Sequence, residues 1–267
     1  MRYSSLHTHT VFSDGVDTVE DNVKAAIERS MVSLGFSDHC YTYFDLSYCV
    51  QKNDVQRYID EVRRVKTKYA EQIEIYLGLE LDGYALLDNR EEYDYIIGDC
   101  HYIKTPDGYK AVDLSRDDLT RTVNEYFGGD FTKMARSYYE SYAECIAKMK
   151  PDILGHIDLV TKYSLVDESD VQYRAAANEA LEASLAVTPI IEMNTGAISR
   201  GYRNEPYPAV FLIDSVKQLG GKLLLSSDSH AAKDLTCRFD ECVELLRSRG
   251  IKSIVQLKGG VFEEVGI

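Results

Sequence analysis

The chain has 267 residues, 45% hydrophobic and 28% charged, enough for one large domain with its own core and no disulfide scaffold. Lys and Arg number 30 against 44 Asp and Glu, a formal charge of −14, so the surface repels nucleic acid and anionic membrane, and a small anionic substrate needs cations at its site. There is no apolar run near the roughly 20 residues of a membrane helix, no legible export leader and no Cys-x-x-Cys pair among six cysteines; the expectation is a cytoplasmic chain with reduced thiols.

In chain order, apolar runs at residues 3–6, 33–36, 73–79, 93–97, 153–155, 189–193 and 221–225 alternate with helical patterns. The first run enters Leu6-His7-Thr8-His9, then the turn Phe12-Ser13-Asp14-Gly15. Thr18-Val19-Glu20-Asp21 follows as a capping-box variant, opening a helix with Val19, Val23, Ala26, Ile27 and Met31 on one face. The second run enters Ser37-Asp38-His39. Asp54 is expected to cap the next helix, whose stripe includes Tyr58, Ile59, Val62 and Val65. The third run ends in Gly78-Leu79-Glu80, and the fourth leads to Gly98-Asp99-Cys100-His101. Residues 104–130 then break the rhythm with Pro106-Asp107-Gly108 and Phe127-Gly128-Gly129-Asp130; this segment is either a lid or a surface excursion with a short helix. Helices are expected over 131–149, 170–185, 209–219 and 240–249. The last three strands lead to Gly155-His156-Ile157-Asp158, to Glu192 and to Ser227-Asp228-Ser229-His230.

Strands without polar alternation, each followed by a helix, predict a parallel α/β sheet buried on both faces. Seven strands in one stretch favour a closed barrel over an open sheet, with the site at the carboxyl ends of the strands. No repeat or linker divides the chain, so residues 1–267 are expected to form one domain.

Every histidine follows a strand, and the acids Asp14, Glu80, Glu192 and Asp228 stand beside them. His7 and His9 are two apart, so both imidazoles face one side of a strand. A carboxylate at the end of an apolar strand, such as Glu80, is costly to bury unless paired or metal-bound. Glu192 is expected either as a ligand or as a partner to one. Six imidazoles and at least three acids exceed the four ligands of one tetrahedral zinc. They suit two or three divalent transition metals, with zinc, manganese or iron favoured over calcium or magnesium by the mixed nitrogen and oxygen donors. Cys40 and Cys100, as strand neighbours of His39 and His101, point the other way and are expected to pack. No nucleotide-binding glycine loop or Ser-His-Asp pattern is present, so a hydroxide generated on metal is the expected nucleophile.

These motifs, in this order from residue 6 to residue 230, resemble those of the polymerase-and-histidinol-phosphatase (PHP) family. The resemblance implies a distorted (β/α)7 barrel with a trinuclear site. It implies His7, His9, Glu80 and Asp228 on a first metal; Glu80, His101 and His156 on a second; and Asp14, His39 and His230 on a third. Relatives often carry a histidine where Asp14 stands. The chain length, Ile97-Gly98-Asp99-Cys100-His101 and Asn194-Thr195-Gly196 resemble the branch that implies hydrolysis of L-histidinol phosphate by a hydroxide bridging two metals. Arg200 is expected as a phosphate fork and Lys162 as a second phosphate contact. Asp158 is expected to orient His156 or move a proton. Tyr41, Tyr43, Phe44 and Tyr102 are the aromatics nearest the motifs. Competing readings are a nucleotide phosphatase or phosphodiesterase of the same family, a non-catalytic metal-binding module, and a carbon–nitrogen hydrolase on a similar barrel.

Overall fold

The computed structural model describes residues 2–267. In chain order the elements are β1 (Ser4–Ser5), α1 (Val19–Glu28), β2 (Ser33–Phe36), α2 (Val55–Lys68), β3 (Glu74–Asp82), β4 (Tyr95–Asp99), β5 (Tyr102–Thr105), β6 (Gly108–Ala111), α3 (Arg116–Phe127) and α4 (Phe131–Met149). There follow β7 (Ile153–Leu154), α5 (Val171–Leu185), β8 (Ile190–Asn194), α6 (Gly196–Ser199), α7 (Val210–Gln218), β9 (Lys222–Ser226), α8 (Phe239–Ser248), β10 (Ser253–Lys258) and β11 (Val261–Gly266).

The helices begin where local chemistry satisfies their free amides. Thr18 accepts from the Asp21 amide, as the capping pattern predicts. Asp130 accepts from Lys133, and Asp170 from Gln172 and Tyr173. Asp54 holds the cap position of α2, but its carboxylate pairs with Arg57 instead of an amide.

Nine strands form one sheet in the order β1-β2-β3-β4-β7-β8-β9-β10-β11, and only β10–β11 is antiparallel. The sheet curls: beyond β1, Thr8 bridges Ser229 in parallel register, and the His9 amide donates to the Ser229 carbonyl at 2.8 Å. At the other end of the same seam, Ser33 Oγ donates to the Leu257 carbonyl at 2.8 Å, and Gln256 Nε2 donates to the Arg2 carbonyl at 3.1 Å. Here β10 and β11 extend the sheet beyond the seven expected strands. Their sequence places two short β-branched runs on either side of a Gly259-Gly260 turn, a hairpin signal that the strand–helix rhythm conceals.

Apolar layers flank the sheet. Val23, Val62 and Leu77 belong to the layer under α1 and α2; Tyr138, Leu181 and Ile213 belong to the larger layer under the later helices. Inside the curl lie Leu6, Tyr95, Ile97, Ile153, Leu224 and Val255. Tyr95 fills this interior because Gly35 and Gly78 leave space for it; a Cβ at either would stand within 2.3 Å of the ring or its hydroxyl. The hydroxyl donates toward the carbonyls of Leu6 and Phe36, tying the first two strands to β4.

Residues 104–130 are ordered as the β5–β6 hairpin and α3, not as one long loop. No helix among the described residues is long and apolar enough to cross a membrane.

Candidate metal centre

The parallel strands deliver all six imidazoles to one end of the sheet. His7 and His9 lie two and four residues beyond β1, His39 three beyond β2, His101 two beyond β4, His156 two beyond β7, and His230 four beyond β9. Glu80 sits inside β3, which runs three residues past the apolar run that ends at Leu79.

Glu80 is the hub. Its Oε1 lies 3.1 Å from His7 Nε2, 3.0 Å from His156 Nε2 and 3.8 Å from His101 Nε2. Its Oε2 lies 2.7 Å from His39 Nδ1 and 3.5 Å from His9 Nε2. Asp228 Oδ1 faces His9 Nε2 at 3.1 Å and His7 Nε2 at 3.7 Å. Asp14 reaches His230 Nε2 at 3.1 Å, His39 Nε2 at 3.7 Å and His9 Nδ1 at 3.8 Å. All nine expected ligands are therefore in one cluster. Their donor atoms fall into overlapping groups within 4.8 Å, among them His9–Asp14–His39–His230 and His7–His9–Glu80.

Behind these residues, Glu192 accepts from the His156 amide at 2.8 Å, from Ser226 Oγ at 2.5 Å and from Asn194 Nδ2 at 2.8 Å, and it contacts His7 Nδ1 at 2.9 Å. It contacts the expected ligand His7 and lies outside every group of side chains that could hold a metal ion. Holding Nδ1 leaves His7 Nε2 to face Glu80 and Asp228, the usual way a protein fixes an imidazole for a metal. Asp228 adopts a left-handed backbone, φ 44°, which an L side chain rarely takes and which costs about 1 kcal/mol or more. A Cβ at Gly196 would stand 2.5 Å from Asp228 Oδ2, so the Asn194-Thr195-Gly196 bend leaves the carboxylate room.

Burial and the mutual proximity of these groups shift their charges in different directions. Burial opposes charge on Glu80, yet His39 and His7 outweigh it and hold the carboxyl well below its ordinary value. Burial also opposes charge on His39, but Glu80 and Asp14 raise it to about 9. His9 goes the other way: burial, with His230 and His39 beside it, lowers it to about 3 and keeps it neutral, the form that donates a lone pair to metal. His7 Nε2, His9 Nδ1, Glu80 Oε2, His101 Nδ1 and His156 Nδ1 are buried without a hydrogen-bond partner among the described residues. Buried polar atoms are ordinarily paired. Unpaired donors aimed at one another fit divalent cations between them.

A cleft of about 270 Å³ opens onto this cluster, lined in part by Asp14, His39, Tyr48, Lys162, Arg200 and His230. A larger cavity of about 330 Å³, lined by residues of α4 and α5, contains no imidazole. Chemistry and not size places the site.

Of the expected substrate groups, Arg200 and Lys162 reach the cleft. Arg200 Nη2 pairs with Asp228 Oδ2 at 3.0 Å and Nη1 donates to His230 Nδ1 at 2.5 Å. Lys162 Nζ donates to the carbonyl and carboxylate of Asp113 at 3.0 and 3.1 Å and lies 4.9 Å from the Tyr202 ring. Asp158 does not line the cleft. Its Oδ2 accepts from the Ala209 amide at 2.7 Å, and burial raises it to about 6 against the pull of Arg203. Of the four expected aromatics only Tyr102 reaches the cleft wall; Tyr43 and Phe44 pack on each other, and Phe44 also on Tyr102. Cys40 and Cys100 are buried free thiols outside every ligand group.

The sequence reading did not single out Tyr48, Asp113 or Asp99. Asp113 comes from the irregular segment, which also lends Ala111 and Leu114 to the cleft wall. Tyr48 carries no motif. Asp99 was legible: it ends the apolar strand Ile96-Ile97-Gly98-Asp99, the feature that marked Glu80.

An α/β sheet with a buried cluster of imidazoles and acids beyond its carboxyl edges offers several groups of side chains that could hold a metal ion. The PHP domain family matches residues 5–196, and the chain belongs to that family. It is 25% identical to the histidinol-phosphatase of Bacillus subtilis strain 168, over 89% of this chain and 97% of the relative. A solved chain from Listeria monocytogenes shares the fold at a TM-score of 0.76 and 22% identity, over 89% of this chain and 99% of that one. The histidinol phosphate phosphatase of Lactococcus lactis, solved with zinc, L-histidinol and phosphate, gives a TM-score of 0.72 at 20% identity, over 98% and 99%.

Proposed function

We propose that this protein is a metal-dependent phosphomonoesterase that hydrolyses L-histidinol phosphate to L-histidinol and phosphate in the cytoplasm. The observation that carries the reading is the position of Glu80, within 4 Å of five imidazoles from four separate stretches of chain. The names of the curated relatives supply the substrate.

We assign His7, His9, Glu80 and Asp228 to one cation, Glu80, His101 and His156 to a second, and Asp14, His39 and His230 to a third, with zinc, manganese or iron as occupants. Bound there, such cations neutralise phosphoryl oxygens and bring the acidity of water near neutral. Glu80 keeps the imidazoles oriented through its two oxygens. Arg200 presents the phosphate-binding fork at the rim, held in place by Asp228 and His230 until substrate arrives. Lys162 adds positive charge to the same cleft, steadied by Asp113. Asp158 acts by positioning: its bond to the Ala209 amide fixes the chain after Tyr207, whose ring packs near His156. The fold reading that goes with this function is the (β/α)7 barrel in one domain, supported by the Thr8–Ser229 bridge between the ends of β1 and β9.

The test is phosphate release from L-histidinol phosphate, nucleoside monophosphates and p-nitrophenyl phosphate by protein reloaded with zinc, manganese or iron. The reading expects histidinol phosphate to have the highest kcat/KM. A nucleotide preferred by orders of magnitude would replace the substrate assignment.

A further inference from the structure

We propose that Asp99 is a fourth protein ligand of the cation held by Glu80, His101 and His156, a role that rests on the metal-centre reading above. Asp99 ends β4 and is fully buried, yet neither carboxylate oxygen has a hydrogen-bond partner among the described residues. A buried carboxylate left without donors is costly, and the cost rises when a second acid, Glu80, faces the same imidazoles. A divalent cation between them removes both penalties.

The geometry is specific. Asp99 Oδ1 lies 3.2 Å from His101 Nδ1, and Oδ2 lies 3.7 Å from His156 Nε2, the atom that also meets Glu80 Oε1 at 3.0 Å. One donor atom from each of Glu80, Asp99, His101 and His156 falls within 4.8 Å of the others. Gly155 leaves room for this approach, since a Cβ there would stand 3.0 Å from Asp99 Cβ.

A neighbouring acid provides the contrast. Asp82 also lies near His101 Nδ1, at 3.4 Å. Its oxygens, however, already accept from the amides of Tyr84 and His101 at 2.9 and 2.8 Å. Asp82 therefore holds the loop that carries His101, whereas Asp99 has both oxygens free for an ion. Two oxygens and two nitrogens complete a four-donor set for this cation and leave it less dependent on exchangeable ligands. The added carboxylate also makes the site harder, which favours manganese or iron over zinc relative to a three-donor site.

The test compares zinc retention by wild type and Asp99→Asn during dialysis against zinc-buffered chelator, with zinc counted by elemental analysis. Losing a ligand costs at least as much as losing a ligand's hydrogen-bond partner, so one zinc per chain should leave the variant at free zinc roughly 100-fold higher than in wild type. The remaining zinc should be retained as in wild type. Superimposable retention curves would overturn the assignment. An anomalous-diffraction map of zinc-loaded wild type decides the same point without the variant, should Asp99→Asn fail to fold. An ion about 2.0–2.2 Å from an Asp99 oxygen supports ligation, and a nearest ion beyond about 3 Å overturns it. Wild type that takes up no zinc at all would sink both this assignment and the metal-centre reading. Wild type that loads zinc and releases phosphate while the variant matches it would sink only Asp99.

Discussion

Early in the strands, Tyr95, Ile97, Ile153, Ile190 and Leu224 close the interior of the sheet with apolar surface. A few residues further along the same strands, His7, His101, His156 and Asp228 crowd buried polar atoms against one another, several without hydrogen bonds. The first region is favourable to bury at about 25 cal/mol per Å² of apolar area; the second is costly to bury on its own, a cost that the proposed cations would offset. One end of the sheet supplies the stability that the other end consumes, and substitutions in the two should have opposite signatures.

The largest expected effect is at the polar end. His9→Ala or Asp228→Ala should lower kcat/KM by roughly 10²–10³-fold or more, while the chelator-treated variant melts no lower than chelator-treated wild type. Steady-state kinetics beside calorimetry separates the two quantities, and a drop in Tm matching the loss of activity would erase the contrast. At the apolar end, Ile97→Ala should cost about 2–5 kcal/mol in urea unfolding and leave kcat of the folded fraction unchanged. A change in kcat comparable to that at His9 would show that the two regions are not separable.

A smaller effect sharpens the comparison at the rim. Arg200→Lys keeps the charge but loses the planar fork, so KM for the phosphate ester should rise about tenfold with a smaller change in kcat. The smallest effect lies far from the site. Glu20 accepts from Lys68, Arg64 and Tyr69, which hold it down to about 2. A carboxyl lowered in this way stabilises the fold above its ordinary value of 4.5, and that contribution is lost as pH falls toward about 2. Glu20→Gln should shift Tm slightly at pH 7 and less at pH 3; an equal shift at both would remove the ionic explanation.

The polar end was far more legible in the sequence than the apolar end. Each histidine stands beside a turn or another ligand type just past an apolar run, so a parallel sheet alone suffices to gather them. Glu80 announced itself as an acid where a strand should be apolar. Asp99 made the same announcement and was obscured by the neighbouring Cys100-His101. The functions of Asp113 and Tyr48 could not be read in this way, because they arrive through a hairpin and a loop whose path depends on tertiary packing. At the closing seam, β10 and β11 were missed for a related reason: a hairpin appended to an α/β alternation satisfies no expectation that the alternation creates. Tyr95 reads as an ordinary strand residue until Gly35 and Gly78 are seen opposite it.

The most direct measurement is phosphate release from L-histidinol phosphate by the full chain before and after removal of bound divalent cations and their restoration. The account predicts turnover that disappears with chelation and returns with zinc, manganese or iron. Turnover indifferent to chelation by a protein shown to be cation-free, or no turnover by a protein shown to be cation-loaded, would contradict it.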